Sequence, residues 1–180
     1  SHGRFLPARQ TKIHVFFKKV ANKVRLMSDN SELILLGGSG NGKTEFYDEL
    51  NSELTSKCRF VDGLSFTTPV KDIHKIIIHH LYEYRKKHME ELMQKYEKLV
   101  KEGLTAKRNN VINRALKIGS VETLIVSTLF HTKPQFKNIL KMLEEAKNTS
   151  CKIEFAMSPK IIKKLEIDDS VLAILRYRIK

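Results

Sequence analysis

Residues 32–54, ELILLGGSGNGKTEFYDELNSEL, contain the pattern that decides the fold. The short apolar run at 32–37 predicts a buried strand that the glycines end, and the apolar spacing over 43–54 predicts a helix. The same alternation of strand and helix recurs farther along the chain. Because helices that alternate with strands cover the faces of a partly parallel sheet, the sequence predicts an α/β fold.

Apolar periodicity predicts further elements on both sides of this unit. An amphipathic helix is expected over residues 9–27, with a core-facing stripe made of Ile13, Phe16, Phe17, Val20, Val24 and Met27. A strand is expected at 58–63, and a long helix begins after Thr68-Pro69 and continues to about residue 100. Beyond Gly103 the predicted order is helix 109–118, strand 121–126, helix 134–147, strand 152–156, helix 159–165 and strand 172–179.

A helix as long as 70–100 usually bridges two domains, and its character changes from apolar to charged near Tyr82. We therefore expect two small α/β layer domains with mixed sheets, joined through this helix: residues 1–82 and residues 83–180. In the helix at 134–147 we expect a core stripe made of Phe136, Ile139, Leu140 and Leu143.

The charge of the chain favours an anionic partner. Lys and Arg number 33 against 20 Asp and Glu, giving a formal net charge of +13, and no acidic residue precedes Asp29. Surface helices normally mix both signs, so an all-basic face on the first helix indicates a phosphate-lined partner such as RNA. A merely solvated basic surface is the competing interpretation. The predicted RNA-binding residues are Arg4, Arg9, Lys12, Lys19 and Lys23.

Other classes of protein are disfavoured by composition. Cys58 and Cys151 lie far apart and outside any Cys-x-x-Cys spacing, which argues against a disulfide scaffold or zinc ribbon and favours thiols in a reducing compartment. His74, His79 and His80 point to different faces of one helix, so we expect no metal site. The longest apolar runs fall far short of the roughly 20 residues of a membrane span, so we expect a cytoplasmic protein without membrane partners.

The glycine-rich turn satisfies the phosphate-binding pattern G-x-x-x-x-G-K-[ST] through Gly37, Gly42, Lys43 and Thr44. Its position between a strand and a helix is the context that such a loop requires. A P-loop enzyme also needs an apolar strand that ends in Asp or Glu to hold magnesium, and the best strand runs into Ser127 instead. Phe60-Val-Asp62 is a short, weak substitute. We therefore favour a structural strand-to-helix turn, with a small P-loop NTPase or kinase as the alternative.

Three segments of the sequence are informative when their order and spacing are considered together. The first is Ser1-His-Gly-Arg4-Phe5 followed by Phe16-Phe-Lys-Lys-Val20; the second is ILLGGSGNGKTEF at 34–46; the third joins ALKIGSVETLIV at 115–126 to ILRYR at 174–178. Together they resemble the archaeal and eukaryotic class I peptide-chain release factors, a family shared in outline with Pelota-type rescue factors and with Vms-like and bacterial relatives. The resemblance covers nearly the whole chain.

The resemblance implies a division of roles along the chain. In the family, the segment similar to the first one directly follows a catalytic Gly-Gly-Gln tripeptide, so Ser1 would come immediately after the Gln and the chain alone would be inactive, with no catalytic residue in it. The tripeptide positions water against the peptidyl-tRNA ester, and the helix behind it rests on large-subunit ribosomal RNA; Arg4, Arg9, Lys12, Lys19 and Lys23 match that helix. The family's glycine turn binds no nucleotide, so no cofactor is expected.

The same resemblance implies that residues 1–82 are the remainder of the middle, tripeptide-bearing domain and that residues 83–180 dock a translational GTPase. The expected function is translation termination by peptidyl-tRNA hydrolysis at stop codons on the ribosome. Three alternatives stay open: a ribosome-rescue factor of the Pelota or Vms-like type, the small P-loop NTPase or kinase, and an RNA-binding module without chemistry.

Overall fold

A computed structural model describes residues 5–179, with side chains from Gln10 onward. The chain separates into two compact units, Ser1–Leu81 (unit 1) and Tyr82–Lys180 (unit 2). The helix Val70–Val100, which the sequence predicted, begins in the first unit and ends in the second. Helices and short strands make up both units, so the predicted α/β class is confirmed.

Unit 1 contains helix α1 (Phe5–Met27), strand β1 (Ile34–Gly37), helices α2 (Gly42–Asp48) and α3 (Ser52–Lys57), and strand β2 (Cys58–Val61). The two strands pair in parallel, with Ile34 opposite Cys58. The sequence predicted one helix over 43–54, and this was wrong. Asn51 interrupts it, because its side chain accepts a hydrogen bond of 2.9 Å from the Leu54 N–H and so starts a second helix.

The described core of unit 1 is small. Its buried members are Ala21, Leu50, Leu54 and Cys58, and the partly buried residues packed against them are Ile34, Leu36, Phe46 and Tyr47. The expectation that all of the α1 stripe faces the core was wrong at Phe16 and Met27, whose exposed fractions are 61% and 76%. A helix of 23 residues is about 35 Å long, and so small a core cannot cover its whole length.

Unit 2 is built on a four-stranded mixed sheet. The helix Val70–Val100 is α4, and it is followed by β3 (Thr105–Lys107), α5 (Asn109–Lys117), β4 (Val121–Ser127), α6 (Phe136–Lys147), β5 (Lys152–Ala156), α7 (Pro159–Glu166) and β6 (Val171–Leu175). The strand order is β3-β6-β4-β5. β4 pairs in parallel with β5 and antiparallel with β6, which also pairs antiparallel with β3. The sequence had not predicted β3.

Two hydrophobic clusters show that helices pack against the strands of unit 2 in two groups. One cluster joins α5 and α6 to the strands through Ile112, Leu116, Ile139 and Met142. The other joins α4 and α7 to the strands through Met89, Met93, Tyr96, Ile161 and Leu165. The predicted core position at Leu140 was wrong, since 43% of that residue is exposed. Leu140 lies about 100° around the helix from the fully buried Ile139, at the exposed edge of the apolar stripe.

Candidate nucleic-acid interface

Helix α1 presents a row of exposed lysines. Lys12, Lys19 and Lys23 are all exposed, and at 100° per residue their spacings of seven and four place them within about 40° of arc on the helix surface. The sequence carries no acidic residue before Asp29. Within the part of the chain that the structure describes, none of the three lysines forms a salt bridge with a carboxylate. We call Lys12, Lys19 and Lys23 the lysine row.

A carboxylate that contacts α1 lies away from the lysine row. Glu49 contacts the Nδ1 atom of His14. His14 follows Lys12 by two positions, so it points about 200° away around the helix. This contact anchors α1 to the end of α2 and leaves the positive potential of the row intact.

Two predicted RNA-binding residues cannot be placed relative to the row. Arg4 lies outside the described residues, and the side chain of Arg9 does too, although Arg9 belongs to α1. Phe16, which the sequence assigned to the core stripe because it is apolar, is 61% exposed. It follows Lys12 by four positions and precedes Lys19 by three, so it lies on α1 near the lysine row.

The lysine of the glycine-rich turn, Lys43, already has a hydrogen-bond partner. Lys43 Nζ donates a hydrogen bond of 2.7 Å to Asp62 Oδ1 and lies 5.9 Å from the centre of the Phe60 ring. This hydrogen bond, reinforced by the lysine charge, holds the pKa of Asp62 below its ordinary value. A nucleotide phosphate would have to displace the carboxylate from Lys43.

The helix after the turn also starts with internal bonds. The Thr44 and Glu45 N–H groups each donate to the Asn41 carbonyl at 3.0 Å, and α2 has only seven residues. Gly40 adopts φ +68°, a conformation that side-chain-bearing residues rarely take, which explains a glycine at this corner. These features describe a turn that connects β1 to α2 and is tied to the end of β2.

Potential metal ligands do not cluster among the described residues. Over residues 5–179 no three His, Cys, Asp or Glu side chains come together as metal ligands. Both cysteines are free thiols; Cys58 is buried, Cys151 is partly buried, and burial raises the pKa of each. None of the described helices is both long enough and apolar enough to cross a bilayer.

Unit 2 contains a cavity of about 460 Å³ where β3 meets α5. It is lined by Lys107, Arg108, Asn109, Asn110, Ile167, Asp168 and Asp169. Lys107 lies 3.8 Å from Asp168, and the lining carries two cations and two carboxylates. Because the opposite charges offset each other, the cavity lacks the one-signed field of the lysine row.

Comparison with solved structures identifies the fold. Archaeal Pelota, in a ribosome-bound structure with ABCE1, matches with a TM-score of 0.72 and 21% identity over 92% of this chain and 49% of that chain. S. cerevisiae Dom34, described as a translation termination-like factor that interacts with Hbs1, matches with a TM-score of 0.64 and 14% identity over 91% of this chain and 52% of that chain.

The chain thus spans about half the length of these structures. No protein-family profile matches it, and no curated protein sequence does. At identities of 21% and 14%, the likeness to these structures is one of architecture. The chain has the fold of archaeal Pelota and S. cerevisiae Dom34, in the part of those proteins that it covers.

Proposed function

We propose that this chain is part of a translation termination or ribosome-rescue factor and that it binds large-subunit ribosomal RNA through the lysine row of α1. The observation that carries the proposal is the row itself: exposed, of one sign, and unpaired with any described carboxylate. Support also comes from the fold, because the Pelota structure that shares it is ribosome-bound and Dom34 is described as termination-like.

The chemistry of the row suits an RNA backbone. Each lysine that approaches a phosphate releases condensed counterions, so binding is favourable at low salt and weakens steeply as salt rises. Such contacts position a protein on RNA without reading its sequence. Hydrolysis of peptidyl-tRNA would belong to the whole factor, and this chain would contribute contacts that hold the factor on ribosomal RNA.

The direct test is a charge-reversal triple, Lys12→Glu with Lys19→Glu and Lys23→Glu. A matched control reverses Lys137, Lys141 and Lys147, which are exposed on α6 and change the net charge equally. Co-sedimentation with large ribosomal subunits is measured over a range of salt. We expect the α1 triple to weaken binding at least tenfold at moderate salt and to reduce the slope of log K against log salt by about 3, while the α6 triple changes both much less.

Equal effects of the two triples would contradict the proposal, because the binding would then follow net charge alone. Unchanged binding by the α1 triple would contradict it as well. Assays with the full-length product of the gene separate termination from rescue. Peptide release at a stop codon indicates a terminator, whereas splitting of ribosomes stalled without a stop codon indicates a rescue factor.

Residues 83–180 are proposed to dock a translational GTPase. Phe155 and Met157 are exposed by 47% and 38%, and they line a shallow groove together with Arg85 and Lys86. An apolar patch rimmed by charge is typical of a protein contact. Phe155→Asp is expected to abolish co-elution with the GTPase on size exclusion, and Leu129→Asp, at another exposed apolar site, is expected to preserve it.

The P-loop alternative rests on the pattern formed by Gly37, Gly42, Lys43 and Thr44 and on the parallel pairing of β1 with β2, which brings Asp62 to Lys43. Calorimetric titration with ATP or GTP in the presence of magnesium decides it. Micromolar binding that Lys43→Ala abolishes would establish a nucleotide site and displace the proposed function. No heat of binding is the result that we expect, because Lys43 is already paired with Asp62.

A further inference from the structure

The lysine row of α1 contains an exposed aromatic ring. Phe16 lies between Lys12 and Lys19 in the sequence, and helical geometry places it within about 60° of both. It is 61% exposed, although a phenylalanine in this small unit would gain stability from burial. Met27, exposed by 76%, follows Phe16 by eleven positions and lies at the end of the same row.

Neighbouring rings hold Phe16 in place. The centres of the Phe16 and Phe17 rings are 6.0 Å apart with their planes tilted by 46°. Phe17 in turn meets Phe46 of α2 edge-on, with ring centres 5.6 Å apart. The three rings thus form a continuous series of contacts from Phe46, a partly buried residue of unit 1, to the exposed Phe16. A ring supported in this way loses less conformational entropy when a ligand covers it than a ring on an unsupported side chain.

An exposed ring among phosphate-binding cations matches the surfaces that bind unpaired nucleotides. Such surfaces combine a basic track for the backbone with aromatic side chains on which bases stack. A regular RNA duplex hides the faces of its bases within its own stack, so only unpaired bases in loops, bulges or ends can cover a protein ring. The charge of the row thus selects RNA over an apolar protein partner, and the ring selects unpaired over paired RNA.

We propose that Phe16 stacks on an unpaired nucleobase while Lys12, Lys19 and Lys23 contact the flanking phosphates, so that this face of α1 prefers looped or single-stranded RNA to duplex RNA. The inference rests on the proposed function, because it requires the lysine row to bind RNA. It adds the class of RNA and the residue that recognises it.

The chain contains no tryptophan, so Phe16→Trp introduces a single tryptophan fluorophore at the site. The probes are a mixed-sequence single-stranded RNA and a duplex of the same length. Their binding to the full 180-residue chain is measured by fluorescence anisotropy. We expect Phe16→Ala to weaken single-strand binding by about 5- to 100-fold and duplex binding by less than about twofold. We expect Phe16→Trp to retain the preference and its emission to be quenched by the single strand.

Phe66→Ala is the matched control, since Phe66 is a fully exposed phenylalanine that lies outside α1. It should leave both affinities unchanged, and the unfolding temperature of each variant shows whether the fold is kept. If Phe16→Ala alters neither affinity, or both equally, the stacking inference is wrong while the proposed function survives. If the charge-reversed lysine triple also leaves RNA binding unchanged, the proposed function itself fails. If Phe16 instead contacts an apolar protein partner, Phe16→Ala will alter neither RNA affinity.

Discussion

At the scale of single residues, the pair formed by Lys43 and Asp62 determines what the glycine-rich turn can do. Asp62 is almost fully exposed and Lys43 is mostly covered, so the pair is a surface interaction whose effect on stability is small. Its effect on titration is clearer. The folded-state pKa of Asp62 is lowered, so the stabilisation is present above the ordinary carboxyl pKa and is lost as pH falls through the folded value.

Replacing Lys43 with alanine removes both the hydrogen bond and the charge. We expect the pKa of Asp62 to rise toward its ordinary value, as measured by carboxyl carbon NMR titration. Lys57→Ala, which removes a lysine 3.8 Å from Glu53, should leave Asp62 unchanged and serves as the control. If Asp62 titrates identically in the Lys43→Ala variant, the two side chains do not interact in solution.

Ser170 offers a second prediction at this scale. It is 99% buried, its backbone has φ +67°, and its Oγ has no hydrogen-bond partner among the described residues. A buried hydroxyl without a partner costs about 1–3 kcal/mol, and glycine accepts a positive φ without strain. We expect Ser170→Gly to raise the free energy of unfolding by about 1 kcal/mol in urea denaturation. A loss of stability would mean that the hydroxyl has a partner, such as a buried water molecule.

At the scale of elements, β4 is a buried internal strand of the unit 2 sheet. Six of its seven residues are buried, and it pairs with β5 on one side and β6 on the other. Such a strand reads as a continuous β-branched and apolar run, which explains why its position was predicted well. Helix α1 is the opposite case, since its length exceeds the core that it covers and several of its apolar residues remain exposed.

The contrast between a buried leucine and an exposed leucine of unit 2, Leu124 and Leu140, is measurable. Leu124 in β4 is fully buried, and its truncation removes apolar contacts and leaves a cavity. We expect Leu124→Ala to lower the free energy of unfolding by about 3 kcal/mol in urea denaturation. Leu140→Ala on α6, where 43% of the residue is exposed, should cost less than about 1 kcal/mol. Similar losses would show that Leu140 is buried in solution.

At the scale of the whole molecule, the two units differ in how much core supports them. Unit 2 has a four-stranded sheet and two clusters of buried residues, whereas the described part of unit 1 has a two-stranded sheet and one cluster of four buried residues. A two-stranded sheet is marginal by itself and depends on the helices that pack on it. The unit proposed to contact RNA is therefore the one with the weaker described core.

Amide hydrogen exchange reports this difference directly. We expect the amides of β4 and β6 to exchange most slowly, with protection close to that of global unfolding, and those of β1 and β2 to exchange at least tenfold faster. Saturating single-stranded RNA should slow exchange in unit 1 in proportion to its occupancy, because a ligand of the folded state stabilises that state. Equal protection of the two sheets would contradict the expected order.

The sequence by itself determined the alternating helices and strands, the long helix that ends at Val100 and the superfamily resemblance, because apolar periodicity and turn residues act locally. It also predicted the lysine row, since charge spacing on a helix needs only helical geometry. Which apolar residues of α1 and α6 are buried, and that Lys43 pairs with Asp62, were decided by tertiary structure alone. Burial depends on how much core lies opposite a residue, and Lys43 and Asp62, 19 positions apart, meet only after β1 and β2 pair.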